Sequence, residues 1–330
     1  MNKFDKSNWP FLLFSAVVIF FVTVFCGGCG TYQPLVQSDM RSIIDYEGTE
    51  IGVPAKPQRI VTLSLGFDIM TMGLLPPERF VAVHINASDP GISCITEESR
   101  NIKTKLYLYP FETILNLQPD LIIASTWTQP EVVQGYRDLG YSVVVCKGPN
   151  NVEEVKQTID LLAEVVNEQE AGRRVIKEMD RQLKKIADTL SKRTDKIPVG
   201  MLVSQMTSYG GKGCMFDELC TKARVCNGIA KMGLFNGQNI SKEMVVACDP
   251  DFFMVSAPRI RSSAASRKFK EEYFADPALT GLRGLDNITF IPDRYLYSAT
   301  QNCVYAIKGI ANAAYGEVFD MSDEKLIKGY

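Results

Sequence analysis

The residues of this chain best suited to chemistry are few, and most stand at the ends of apolar runs. His84, the one histidine, follows FVAV (80–83), Trp127 follows LIIAS (121–125), and Ser64 closes IVTLS (60–64). In the second half Met206 and Tyr209 follow VGMLVS (199–204), Arg259 follows FFMVS (252–256), and Tyr297 follows ITFIP (288–292). Tyr107 and Tyr109 precede a helical pattern over 111–117. Such runs read as buried strands, and in an open parallel sheet a ligand lies beyond the carboxyl ends of the strands. Flat aromatic rings beside guanidinium groups suit a large, partly conjugated ligand carrying negative groups. The His84 imidazole could be an axial donor to iron or cobalt, although a lone histidine is more often structural or simply exposed. Tyr107, Tyr109, Tyr209 and Met206 are alternative metal-facing side chains. A histidine-rich zinc or manganese site is disfavoured, because there is no second histidine.

Catalytic constellations are missing. The chain has no GxSxG elbow, no HExxH and no Walker loop, and Gly210-Gly211-Lys212-Gly213 lacks the helix signature that follows a phosphate loop. We therefore read a binding protein and not an enzyme, with no cofactor of its own. A formal net charge of −2 gives no reason to expect nucleic acid as a partner. Cys214, Cys220 and Cys226 are spaced neither like zinc ligands nor along one helical face. They read as small buried residues, with one disulfide possible.

The elements that must position these residues repeat. ETILNLQPDLIIAS (112–125) returns 131 positions later as EMVVACDPDFFMVS (243–256), keeping the glutamate, the Pro-Asp pair and the closing serine. Each copy reads as a short helix opened by an acid, a Pro-Asp turn and a buried strand. Strand runs alternate with helical patterns on both sides, near 67–75, 111–117 and 130–139 in the first half and near 215–232, 241–248 and 302–315 in the second. The fold expected is α/β, two Rossmann-like lobes with parallel sheets. The stretch from Val152 to Leu190 is helical in period, with Asn167 and Glu170 spaced as a capping box that starts a second helix. That helix joins the lobes as one stiff linker and permits little closure. The boundaries read 51–166 for the first lobe, 167–193 for the linker helix and 194–330 for the second lobe.

Residues 1–29 carry Lys3 and Lys6, an apolar run from Phe11 to Phe25, and Cys26-Gly27-Gly28-Cys29. This is the order of a secretory signal peptide. Its end resembles the lipobox of bacterial lipoproteins, in which the cysteine, here Cys29, is acylated, with residues 30–50 as the tether. The mature chain is then extracytoplasmic and held to a lipid bilayer.

PAKPQRIVTLSLGFDIMTMGLLPPERFVAV (54–83), NLQPDLIIAS, the linker helix and DPALTGLRGLDNITFIPDRYLY (276–297) together resemble the substrate-binding proteins of ABC importers for cobalamin, haem and ferric siderophores. The resemblance implies a ligand in the inter-lobe cleft, a metal chelate captured for delivery to a transmembrane permease with its cytoplasmic ATPase, and a monomeric binding protein. It also implies that one exposed glutamate per lobe docks on permease arginines, and the matching positions are Glu112 and Glu243. Where the family often carries Ser-Pro and a glutamate after the first strand, this chain has Ser64-Leu65-Gly66-Phe67-Asp68. An exported redox or sensor protein of the same fold without a permease is the alternative.

Overall fold

The computed structural model describes residues 39–256 and 263–330, with backbone only over 263–267. The signal peptide, Cys29, the first part of the tether and Arg259 lie outside the described residues. Residues 40–54, of which 40–50 were expected as tether, form an antiparallel hairpin of β1 (Met40–Ile44) and β2 (Glu50–Pro54). The Asp45 carboxylate accepts from the Glu47 and Thr49 amides and closes the turn. Gly48 supplies its left-handed residue at φ 79°. Asp45 also holds Arg137 at 2.7 Å, so the hairpin is pinned to the first lobe.

That lobe runs through β3 (Ile60–Thr62), α1 (Leu65–Met72), β4 (Val83–His84), β5 (Lys105–Leu106), α2 (Phe111–Asn116), β6 (Leu121–Ser125), α3 (Pro130–Asp138), β7 (Val143–Cys146) and α4 (Val152–Val165). Its main sheet is parallel in the order β3-β6-β7. Every residue of these three strands is buried, as expected where helices cover both faces of a sheet. The strand expected over 80–83 reduces to a single bridge from Phe80 to Ile60, and β4 pairs with β5 in a separate two-stranded sheet. After α5 (Gln169–Leu190), the second lobe follows with β8 (Val199–Val203), α6 (Met215–Lys222), β9 (Cys226–Asn227), α7 (Gly228–Lys231), α8 (Lys242–Cys248), β10 (Phe252–Ser256), α9 (Ser263–Phe274), β11 (Ile288–Ile291), α10 (Asp293–Leu296) and α11 (Cys303–Tyr315). Its sheet is also parallel, in the order β11-β10-β8-β9.

Two local expectations fail for physical reasons. The helix expected over 215–232 breaks at Arg224, which takes φ 58° and whose guanidinium donates to the Leu190 carbonyl, so the chain turns out to form β9. Asn167 adopts φ 60°, a conformation asparagine tolerates. The residue before α5 is consequently Glu168 with no side-chain cap, and Glu170 pairs with Arg173 instead of closing a capping box. A helix does follow the glycine run at 210–213, beginning at Met215.

The sequence repeat is a structural repeat. β6 and β10, the second strand of each order, occupy equivalent positions, and each is entered through a left-handed residue, Gln118 at φ 46° and Asp249 at φ 43°. The aspartate after each proline then bridges to the neighbouring strand. Asp120 accepts from the amides of Gln58 and Arg59 just before β3, at 2.6 and 2.9 Å. Asp251 accepts from Val199 at the start of β8, at 2.8 Å. An arginine clasps each corner: Arg59 reaches the carbonyls of Leu117 and Gln118, and Arg283 binds Asp249 and Asp251.

Helix α5 spans about 33 Å at 1.5 Å per residue and packs against α4 on one side and α11 on the other. One hydrophobic cluster runs from the first lobe through both long helices into the second. The tail after α11 adds polar ties: Gly329 donates to Gly73, Arg174 to Gly329, and Lys328 pairs with Glu98. Among the described residues no helix is long and apolar enough to cross a membrane. Replacing Asp120 or Asp251 by alanine leaves strand-start amides without acceptors. Each substitution is expected to cost about 1–3 kcal/mol in urea unfolding; a loss under about 0.5 kcal/mol would show that the corners do not hold the sheets.

Candidate functional site

The carboxyl ends of β3, β6, β8, β10 and β11 open on one cleft of about 920 Å³, lined from both lobes. That volume is at the large end for small-molecule sites. From the first lobe come Ser64 and the residues after it. Ser64 caps α1, its hydroxyl accepting from the Phe67 amide. Trp127 follows from the loop after β6, and Pro149 and Asn150 from the loop after β7. The second lobe contributes Met206 and Tyr209 beyond β8, Ser256 at the end of β10, and Arg294, Tyr295 and Tyr297 beyond β11. Five of the nine ligand residues read from sequence thus share the cleft: Ser64, Trp127, Met206, Tyr209 and Tyr297.

Trp127 is 64% exposed yet fixed in place. Its amide donates to the Ser125 hydroxyl, and the Gly148 amide donates to Thr126, tying the two loops together. The indole lies directly on Gly148: a Cβ there would sit 2.3 Å from the ring. Across the cleft, Tyr209 and Tyr297 pack with ring centroids 4.9 Å apart. The Tyr297 and Ser204 hydroxyls share a hydrogen bond of 2.6 Å, and Tyr209 donates to the Leu296 carbonyl.

The cleft is less cationic than its sequence suggested. Arg294 is the one arginine lining it among the described residues, and both oxygens of Glu324 hold it at 3.0 Å while Tyr295 donates to the same carboxylate. Arg294 also crosses to the first lobe, donating to the carbonyls of Pro90 and Gly91. Glu324 was not legible as a site residue, since it reaches the cleft only because the tail folds back over α11.

His84, Tyr107 and Tyr109 line no part of the cleft. They form their own cluster, with ring centroids 6.2 and 5.9 Å from the imidazole. Its anchor is Asp68, fully buried in α1, whose carboxyl accepts from Thr62 and from the His84 amide at 2.7 Å each. The His84 ring accepts from the Asn86 amide. The separate β4–β5 pair, which carries His84 and Lys105, explains the misplacement: the strand-end rule assumed that His84 belonged to the main sheet.

Burial pushes the Asp68 carboxyl up to about 7, against the hydrogen bonds from His84 and Thr62 and the charge of Lys105. The folded state therefore holds this proton to higher pH than the unfolded chain does. The Asp68 contribution is complete below about pH 4 and is lost as pH rises towards 7, by up to ~1.4 kcal/mol per unit. Asp68→Asn should flatten that fall in urea midpoints, and an unchanged slope would contradict the assignment. Gly148→Ala should displace the indole and shift its emission, with stability altered by less than about 1 kcal/mol. Unchanged emission would show that Gly148 does not seat the ring.

A family model for the periplasmic binding protein matches residues 108–288. Among curated proteins, one described as "Probable siderophore-binding lipoprotein YfiY" of Bacillus subtilis (strain 168) is 27% identical over 163 residues, which is 48% of each chain. The match thus spans about half the length of that relative. Among solved structures, the periplasmic heme-binding protein RhuT of Roseiflexus sp. RS-1 superimposes with a TM-score of 0.68 at 21% identity, over 79% of this chain and 99% of that one. The molybdate periplasmic binding protein MolA of Haemophilus influenzae gives 0.69 at 18% identity, over 86% and 94%. At these identities the structures share a fold, two α/β lobes with parallel sheets. With the family model covering more than half of the chain, the protein belongs to the periplasmic binding protein family.

Proposed function

We propose that this protein is the extracytoplasmic substrate-binding component of an ABC importer, capturing a metal chelate and delivering it to the permease. The observation that carries this reading is the cleft: about 920 Å³, shared by both lobes, with a fixed tryptophan on one wall and paired tyrosines on the other. Aromatic walls of that extent suit a bulky, partly conjugated cargo. The relatives support the class, since one is named for a siderophore and one for heme. MolA, with molybdate, shows that the fold alone does not choose the ligand. A ferric siderophore, a corrinoid or haem remains the cargo read here, with no intrinsic cofactor and no chemistry performed on it.

Glu112 and Glu243 are the proposed contacts to the permease. Both are exposed, each in the first turn of its helix, α2 or α8, and neither carries an ion pair among the described residues. A carboxylate there is stabilised by the positive helix end and free to take an arginine in bidentate fashion. For Glu243 the Ser241 hydroxyl lowers the pKa further. Acylation at Cys29 would tether the monomer to the bilayer outside the cytoplasm. The continuous core, the α5 strut and the Arg294 bonds to the first lobe favour small closure on binding. The redox alternative needs thiolates in the cleft. Cys94 and Cys214 do line it, one from each lobe, but burial pushes both thiols up, Cys94 to about 12. The described cysteines are all unpaired.

Trp127 is the sole tryptophan of residues 30–330, so tryptophan emission arises from the cleft wall. Titration with haemin, cobalamin and a ferric siderophore is expected to quench it with at least one of them, and His84→Ala should leave that affinity unchanged. Quenching by none would overturn the reading. Reversing both charges, Glu112→Arg with Glu243→Arg, should abolish uptake by cells while leaving binding intact; normal uptake would overturn the docking role.

A further inference from the structure

The cleft holds many side chains able to ligate a metal, and each is already engaged or chemically unsuited. Resting on the reading of the cleft as a chelate site, we propose that its cargo is a chelate whose metal is already coordinatively saturated by the chelator, so that the protein supplies no donor atom. The site would take a hexadentate ferric chelate in preference to a complex with open metal positions.

The carboxylates are committed. Glu324 accepts twice from Arg294 and once from Tyr295, and Asp293 accepts from the Ser256 hydroxyl. To ligate a ferric ion, Glu324 would have to abandon Arg294, leaving a half-buried guanidinium without its counter-charge. The phenols are committed as well: Tyr209 to the Leu296 carbonyl, Tyr295 to Glu324, and Tyr297 to Ser204. Burial raises the pKa of Tyr209 and Tyr295, which disfavours the phenolate that iron binds. The Cys214 thiol donates to the Gly211 carbonyl, and burial disfavours the ligating thiolate at both cleft cysteines. The thioethers of Met70, Met206 and Met215 are soft donors poorly matched to a ferric ion. The histidine lies outside the cleft. The segment between the cleft residues Ser256 and Phe269, APRIRSSAASR at 257–267, contains no His, Cys, Met, Tyr, Asp or Glu. Among the described residues no group of three His, Cys, Asp or Glu side chains is placed to hold a metal.

What remains for recognition is surface: the face of Trp127, the tyrosine pair, and small hydroxyl and amide groups such as Ser64, Asn150 and Asn236. These contact the outside of a chelate, not its metal. The consequence is spectroscopic. A saturated chelate keeps its charge-transfer band on binding, whereas a protein donor entering the metal shell shifts it.

The test uses residues 30–330 with four probes: a ferric linear trihydroxamate, which fills all metal positions, its gallium analogue, ferric nitrilotriacetate, which leaves positions open, and haemin. Quenching of Trp127 reads affinity, and the absorption band of each ferric probe reads coordination. The trihydroxamate complexes should bind with ferric and gallium forms alike, at least about tenfold more tightly than ferric nitrilotriacetate, with the ferric band at the same wavelength free and bound. Met206→Ala and Tyr297→Phe should leave that band in place. Tighter binding of ferric nitrilotriacetate or haemin, with a band shift that reverts in either variant, would overturn this inference while leaving the chelate reading intact. Quenching by none of the four would overturn this inference, and failure of cobalamin to quench as well would overturn the chelate reading with it.

Discussion

The arrangement of this molecule depends on one carboxylate used twice. In each lobe the aspartate of a Pro-Asp turn accepts from amides at the start of the adjacent strand, fixing two parallel strands in register at their amino ends. Proline ends the preceding helix, and a left-handed residue turns the chain so that the aspartate points sideways. With the strand starts locked, the strand ends must open in a common direction. The cleft is where the ends of the two sheets face each other, and its recognition residues, Asn236 apart, lie within a few positions of such an end.

Affinity in a site of this kind depends on how little must be ordered when the ligand arrives. Several features keep the cleft formed in advance. Trp127 is held over Gly148 by stitched loops. Arg294 spans from the second lobe to the carbonyls of Pro90 and Gly91 while Glu324 neutralises it. The hydrophobic core continues through α4 and α5 without a break between the lobes. A hinge that opened widely would expose part of that core, at about 25 cal/mol for each square ångström of apolar surface. The same features explain why the polar groups of the cleft serve structure first: a site whose carboxylates and phenols brace the walls has few donors left for a metal.

How much of this was legible in the sequence depended on how local each determinant was. The repeat at Glu112 and Glu243 could be read because helix start, Pro-Asp corner and buried strand occupy fourteen consecutive positions in each copy. Strand ends then located Ser64, Trp127, Met206, Tyr209 and Tyr297. The rule failed for His84, Tyr107 and Tyr109 because the chain leaves the main sheet after Phe80, a tertiary event that no residue near 84 announces. Glu324 and the tail were invisible because their partners lie far away in sequence. The hairpin at 40–54 was missed although its signal was local, an Asp45-to-Gly48 turn between two short runs, because a tether was expected there. The failed capping box at Asn167 shows a motif of correct spacing losing to the left-handed conformation of its first residue.

Hydrogen exchange on residues 30–330, with and without a saturated ferric chelate, tests the central claim that cargo is held between the two lobes by preformed loops. The account predicts added protection in loops of both lobes, around 64–70 and 126–128 in the first and around 204–209 and 293–300 in the second, with none at 84–86 or 105–109. Protection confined to one lobe, or centred on His84 and its tyrosines, would contradict it.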